Sequence, residues 1–222
     1  TAALNLALSL SNIKNKEVIV PSLTFVSTVN AIKLNGGIPI FCDVNLETGC
    51  ISVDDIKKRI TKKTAAVLPV HFAGLPCEIK SVQEICKNHR LDLIEDAAHA
   101  AGSTSEGMKI GSHGKLVCFS FHPAKNLAMP TGGLIAINDP NYKKIKDKLN
   151  SSRWCGIANR KGVSYDVREI GNNYYMNEIS AAIGIEQLKK LDKMNDKRKK
   201  IAKKYEQKIN LESKIPFDKN CS

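Results

Sequence analysis

A lysine and a serine that follow one short apolar run could act together on a carbonyl compound. Ser120 and Lys125 both lie in the segment 119–127, Phe-Ser-Phe-His-Pro-Ala-Lys-Asn-Leu. A lysine amine attacks an aldehyde only when it is neutral part of the time and held at the carbonyl, so its surroundings must lower its pKa or align it. The chain has 34 Lys and Arg residues, and most lysines are solvated surface charges. Lys125 is therefore a candidate Schiff-base lysine that needs support from elsewhere in the chain.

Two acids end another apolar run and offer a partner for a bound ring. Glu95 and Asp96 close the segment 91–96, and Ala97, Ala98 and His99 follow. Alternation along a strand places the two carboxylates on opposite faces, so only one readily faces a ligand. A buried carboxylate needs a partner, and a protonated pyridinium nitrogen would supply one. The alternatives are that Asp96 caps a following helix and that His99 is an ordinary solvent-facing or satisfied histidine.

Two further segments contain residues that suit a heterocyclic phosphate ester. Phe25 lies just beyond the predicted strand 17–20, where its ring could stack on a heterocycle or pack as a hydrophobic staple for the next helix. Thr1 and Ala2 begin a helix of small and apolar residues. The free N–H groups of that helix could bind a phosphate, or the segment is simply a helix start.

The elements that would position these residues alternate between strand and helix. Strands are predicted at 17–20, 38–44, 64–70, 91–96, 115–121 and 133–138, and helices at 25–34, from 52, and at 78–89. This order is typical of parallel βαβ units. The sequence predicts an α/β fold with a mostly parallel sheet and helices on both faces. Ligands of such sheets bind beyond the carboxyl ends of the strands, which is where the candidate residues stand.

Composition excludes several classes of protein. The chain has 222 residues, of which 42% are hydrophobic, so a substantial core is expected. Its seven cysteines are scattered and never form the C-x-x-C spacing of zinc sites, so we expect free thiols in a reducing cytoplasm and no metal. No apolar stretch is long enough to span a bilayer and no leader opens the chain, so neither a membrane nor secretion is indicated.

The net charge of +12 raises the question of nucleic acid. Residues 186–208 hold ten Lys or Arg and four Asp or Glu, which is half of the net charge. Apolar residues at helical spacing in this segment predict a long amphipathic helix with a solvated basic face. Only 5% of residues are aromatic and no nucleic-acid-binding motif accompanies the charge, so a solvated face is favoured over a nucleic-acid partner.

In chain order these motifs resemble the DegT/DnrJ/EryC1/StrS family of pyridoxal-phosphate-dependent sugar aminotransferases. The resemblance rests on residues 1–4, 21–31, 95–99, 120–125 and 171–184. It implies the large domain of an aspartate-aminotransferase-like, fold type I enzyme, with a mostly parallel seven-stranded sheet in residues 1–185. Residues 186–222 would be the basic helix leading towards a truncated small domain. The resemblance further implies a fragment that lacks the N-terminal arm and the C-terminal small domain.

The resemblance also implies a role for each candidate residue near the ring. Lys125 would form the imine with pyridoxal 5'-phosphate and later move protons between substrate and cofactor. Asp96 would keep the pyridine nitrogen protonated, which makes the ring an electron sink. His99 would lie near the ring hydroxyl, and Phe25 would cover the ring face.

The remaining roles concern the phosphate and the second subunit. The backbone N–H groups of Thr1 and Ala2 and the hydroxyl of Ser120 would bind the phosphate. Asn173 matches a residue that reaches the phosphate from the partner, so the active site would be shared across a homodimer. Thr131 and Tyr175 depart from the family's usual glutamate and arginine, which affects the substrate pocket and one anion contact.

Lysine at position 125 favours transamination, because the related sugar dehydratases have histidine there. The resemblance then implies an enzyme that moves an amino group, with glutamate the expected donor, to a keto-sugar nucleotide for amino-sugar and polysaccharide synthesis. The alternative is a cofactor-binding regulator or sensor without net turnover.

Overall fold

The structure of the chain, a computed structural model, describes residues 1–112 and 114–209. The helices are α1 (Ala2–Leu8), α2 (Val26–Leu34), α3 (Val53–Arg59), α4 (Ile79–His89), α5 (Tyr142–Ser152) and α6 (Glu178–Lys208). The strands of the main sheet are β1 (Glu17–Pro21), β2 (Ile38–Cys42), β3 (Thr64–Val67), β4 (Asp92–Asp96), β7 (Leu116–Ser120) and β8 (Gly133–Ile137). Two small hairpins are formed by β5 (Thr104–Ser105) with β6 (Met108–Lys109) and by β9 (Ile157–Lys161) with β10 (Ser164–Val167).

One sheet of six strands organises the described part of the chain. Its order is β2-β1-β3-β4-β7-β8. The first five strands are parallel, and β8 runs antiparallel to β7. The predicted α/β class with a mostly parallel sheet is therefore confirmed. The predicted number of seven strands is wrong for the described residues, because the chain supplies six runs at strand spacing and the seventh rested on the resemblance alone.

Helices cover both faces of this sheet, as the sequence predicted. Along β1, Val18 and Val20 pack into a buried cluster with residues of α1 and α2. Ile19, between them, packs into a second cluster with residues of α3 and α4. The alternation of β1 side chains thus divides the core into two layers. Burial on both faces explains why this strand is apolar at consecutive positions.

Two strands end two or more residues earlier than predicted. β3 ends at Val67, because Pro69 has no N–H group to continue a ladder, and Val70 then forms a single bridge with Asp96. β2 ends at Cys42, and Val44 pairs instead with Ile51 in an isolated bridge. Both shortened strands turn the chain into loops at the carboxyl edge of the sheet.

The last described helix starts earlier than predicted. The sequence placed the basic helix at 186–208, whereas α6 spans Glu178–Lys208. The side chain of Asn177 accepts a hydrogen bond of 2.8 Å from the N–H group of Ser180 and so caps the helix start. The side chain of Asn195 donates a hydrogen bond of 3.0 Å to the carbonyl of Ala101 and so holds α6 against the segment that follows β4. The proposed division at 185/186 falls inside this helix and stays a prediction, and residues 210–222 lie outside the described part.

The cysteines within the described residues carry free thiols. They are Cys42, Cys50, Cys77, Cys86, Cys118 and Cys155, and Cys221 lies outside the described residues. The expectation of free thiols is confirmed for these six. In the part of the chain that the structure describes, no helix combines the length and apolar character needed to cross a bilayer.

Replacing the N-cap residue of α6 should lower the stability of the protein by the contribution of one capping hydrogen bond. We expect Asn177→Ala to lower the free energy of unfolding in urea by about 1 kcal/mol, since it removes the acceptor for the Ser180 N–H group. Asn141→Ala is the matched control, because Asn141 occupies the same position in α5 without a side-chain cap bond. Equal losses for the two variants would contradict this account of the helix start.

Candidate active site

The carboxylate of Asp96 is buried at the carboxyl end of β4, with only 4% of the residue exposed. The hydroxyl of Thr28, in α2, donates to Oδ2 at 2.9 Å. The N–H group of Ala98 donates to Oδ1 at 3.0 Å. The alternative that Asp96 caps a helix is wrong, because turns follow β4 and lead into β5. A buried anion with two donors and no lysine or arginine salt bridge among the described residues suits a cationic ligand.

Glu95 points to the opposite side of β4, as alternation predicted. It is fully buried, and its Oε2 lies 3.0 Å from Nε2 of His71, which is also fully buried. The N–H group of Cys77 donates to Nδ1 of His71 at 3.2 Å. Nδ1 is therefore the acceptor nitrogen, and the ring proton lies on Nε2, where it is donated to Glu95. His71 was not singled out in the sequence, because no spacing rule connects it to Glu95.

Lys125 is brought back to the sheet edge by a turn that begins at the end of β7. Ser120 Oγ accepts from the N–H group of His122 at 3.4 Å. His122 in turn holds the next residues, since its carbonyl accepts from the Lys125 N–H group at 2.8 Å and its Nδ1 from that of Ala124 at 3.1 Å. The turn leaves the Lys125 side chain half-buried rather than extended into solvent.

The charges of Lys125, Asp96 and His99 act on one another. Burial lowers the pKa of Lys125, and the negative charge of Asp96 partly opposes that change. Burial also lowers the pKa of His99, the positive charge of Lys125 adds to the effect, and Asp96 again opposes it. A lysine with a lowered pKa is neutral at a lower pH than usual, which is what a nucleophilic amine requires. These three predicted site residues are therefore brought together.

The predicted phosphate donors share one cavity. It has a volume of about 600 Å³, and Thr1, Ala2 and Ser120 are among its lining residues with Gly132 and Gly133. The N–H groups in the first turn of α1 have no carbonyl partner within the helix, so they can bind an anion together with the Ser120 hydroxyl. Glycine at position 133 keeps this part of the cavity wall close-packed, because a Cβ atom there would lie 2.9 Å from the Phe119 carbonyl oxygen. The N–H groups of α1 and the Ser120 hydroxyl together form a set of donors that fits a phosphate monoester.

Two predicted site residues, Phe25 and Asn173, do not line this cavity. Phe25 is the N-cap of α2 and 69% exposed, one helical turn before Thr28. Its ring is available to a ligand, and it does not line the phosphate-end cavity. Asn173 is exposed and pairs through its backbone with Trp154. The roles given to Phe25 and Asn173 stay predictions.

Two residues that contact the site, Thr28 and Phe72, were missed in the sequence. Thr28 lies in the segment 21–31 but was given no role, because its burial and its contact with Asp96, 68 residues away along the chain, appear only in the folded structure. Phe72 contacts His99 edge-on, with ring centroids 6.4 Å apart. Phe72 and His99 lie far apart along the chain, so no sequence pattern connects them.

Comparison with known proteins identifies the family. The profile of the DegT/DnrJ/EryC1/StrS aminotransferase family matches residues 1–219. The chain belongs to this family. It is 40% identical over 211 residues to a GDP-perosamine synthase from Escherichia coli O157:H7, an alignment that covers 95% of this chain and 57% of the relative. The chain thus spans somewhat more than half the length of that relative.

Solved structures agree with this assignment. PseC from Helicobacter pylori, an aminotransferase of pseudoaminic acid biosynthesis, is 31% identical and superposes with a TM-score of 0.87 over 94% of this chain and 57% of its own. Spr1654 from Streptococcus pneumoniae in its PLP form is 26% identical, with a TM-score of 0.87 over 93% of this chain and 57% of its own. The α/β fold of a sugar aminotransferase is therefore shown for the described residues.

The interaction between Asp96 and Lys125 gives a prediction with a definite sign. Asp96 raises the pKa of Lys125 against the effect of burial, so we expect the pKa to fall further in Asp96→Asn. The pH midpoint of Lys125 acylation by a small amine reagent, followed by peptide mass spectrometry, measures this change. Asp166→Asn, in the hairpin β9–β10, is the control and should leave the midpoint in place. An unchanged or raised midpoint in Asp96→Asn would contradict an interaction in which Asp96 raises the pKa of Lys125.

Proposed function

We propose that the chain is the cofactor-binding part of a pyridoxal-phosphate-dependent sugar aminotransferase. The observation that carries the proposal is the joint placement of Asp96, Lys125 and the phosphate donors at one edge of the sheet. The donor set of the 600 Å³ cavity and the buried anion of Asp96 suit the two ends of pyridoxal phosphate. Structures of a relative in PLP and PMP forms support the same cofactor.

The cofactor, when bound, supplies an electron sink for the carbon that loses its proton. The chain's residues supply position and proton transfer. Asp96 would accept a hydrogen bond from the ring nitrogen and hold its proton there. Thr1 and Ala2, through their N–H groups, and Ser120, through its hydroxyl, would bind the phosphate and fix the ring's distance from Lys125. Phe25 would lie on the ring face, and His99 near the ring hydroxyl.

Lys125 would act twice. Its neutral Nζ atom would hold the cofactor at the aldehyde carbon, and the lowered pKa raises the fraction of that neutral form. When it is not bonded to the cofactor, the same amine would accept a proton at Nζ and return it to a neighbouring carbon. Because the side chain is half-buried beside Asp96, the amine stays near the ring between the two steps.

The overall reaction exchanges an amine for a carbonyl. The amino donor, for which glutamate is our choice, becomes a keto acid, and the carbonyl carbon of a keto-sugar nucleotide becomes an amine. No external oxidant or reductant is needed, since one substrate gains what the other loses. Relatives named for GDP-perosamine and pseudoaminic acid synthesis support a sugar acceptor and amino-sugar biosynthesis. Asn173 would complete the phosphate site of a partner subunit in a homodimer, and free thiols support a cytoplasmic location.

Replacement of the lysine should abolish cofactor bonding. With pyridoxal phosphate, the full-length protein is expected to show the visible absorbance band of a lysine-bound cofactor, and glutamate is expected to bleach it. Lys125→Ala should lack the band, because it removes the amine that lies beside Asp96, while Lys62→Ala, at an exposed lysine, should keep it. Absence of the band in the wild type would overturn the cofactor assignment.

The acceptor is testable on the same full-length protein. We expect a panel of keto-sugar nucleotides, incubated with glutamate and pyridoxal phosphate, to include one whose ketone is replaced by an amine, as read by mass spectrometry. Lys125→Ala is the control for uncatalysed exchange. A normal band that neither glutamate nor other amino donors bleach would instead support a cofactor-binding sensor.

A further inference from the structure

We propose that Thr28 is a positioning residue for Asp96, and that Thr24 and Thr28 form a directed hydrogen-bond chain that holds the carboxylate in place at the cofactor's ring nitrogen. This inference rests on the proposed function and adds two residues to it. The three residues are joined by two short contacts, 2.7 Å between the Thr24 and Thr28 hydroxyls and 2.9 Å between Thr28 and Asp96.

The direction of the chain follows from the number of protons available. An ionised carboxylate can only accept, and a threonine hydroxyl has one proton to donate. Thr28 must therefore give its proton to Oδ2 of Asp96. The contact between the two hydroxyls then requires Thr24 to donate and Thr28 to accept. Each bond polarises the next in the same direction, so the chain strengthens the donor that faces the carboxylate.

Both ends of the Thr28–Asp96 bond are fixed. Thr28 is fully buried in α2, and its branched side chain has few rotamers in a helix. The backbone of Asp96 is tied on both sides, since its N–H group donates to Pro69 at 2.9 Å and its carbonyl accepts from His71 at 3.0 Å. With Ala98 on Oδ1, each carboxylate oxygen has one protein donor. The plane of the carboxylate is thereby set, and each oxygen keeps a lone pair for the ring nitrogen.

The start of α2 positions both the residue that we expect to cover the ring face and the residue that holds the Asp96 carboxylate. Phe25, the N-cap of α2, is exposed where it could cover the ring face. Thr28 follows one turn later and holds the carboxylate. The carbonyl of Phe25 accepts the Thr28 N–H group at 3.0 Å, so the backbone connects the two residues directly. A shift of α2 would therefore move the Phe25 ring and the Thr28 hydroxyl together.

A matched pair of substitutions separates the hydroxyl from its packing. In the full-length protein, Thr28→Val keeps the size and branching of the side chain but removes the donor, whereas Thr28→Ser keeps the donor and loses a methyl group. The readouts are the dissociation constant for pyridoxal phosphate, from titration of the visible band, and the rate at which glutamate bleaches that band. Urea unfolding of each variant reports any general loss of stability.

We expect Thr28→Val to weaken cofactor binding about tenfold and to slow bleaching, as loss of a hydrogen bond to a charged group predicts. Thr28→Ser should stay within about threefold of the wild type. Thr24→Val should show a smaller effect of the same sign. Wild-type behaviour of Thr28→Val, or equal defects in the valine and serine variants, would overturn the positioning role while leaving the proposed function standing. A wild type that shows no band would overturn the proposed function itself.

Discussion

The structure of the site depends on one buried charge, the carboxylate of Asp96. Removing a carboxylate from water costs several kcal/mol unless donors and an opposite charge replace the lost hydration. The chain supplies two neutral donors, the Thr28 hydroxyl and the Ala98 N–H group. The charges within reach are those of Lys125 and His99, and burial lowers the pKa of both. A buried carboxylate held by two neutral donors suits a further cationic partner, and we propose that the protonated pyridine ring of the cofactor is that partner.

The sheet brings the residues that surround this carboxylate to one edge. Asp96 ends β4, the turn with Lys125 follows the neighbouring strand β7, and Thr28 lies on the helix that follows β1. Parallel strands direct all of these connections to one edge. On the opposite side of β4, the buried pair of Glu95 and His71 ties this strand end to the loop that follows β3. Backbone and side-chain bonds thus fix Asp96 from both faces of the strand.

Local patterns in the sequence were sufficient for the fold class and for the residues at the strand ends. Apolar runs located all six strands of the main sheet, and alternation correctly separated Glu95 from Asp96. The start of α6 was missed because Asn177 caps a helix whose first turns lack the charge pattern that identified residues 186–208. Thr28 and His71 were missed for a different reason. Their partners lie 68 and 24 residues away along the chain, and only the assembled sheet brings such pairs into contact.

The protonation state of the cofactor's ring nitrogen tests the central claim most directly. We would bind pyridoxal phosphate labelled with ¹⁵N in the ring to the full-length protein and record its nitrogen resonance. The account predicts a protonated nitrogen in the wild type at neutral pH and loss of that proton in Asp96→Asn, with the cofactor still attached to Lys125. An unprotonated nitrogen in the wild type, or a proton that persists in Asp96→Asn, would contradict it.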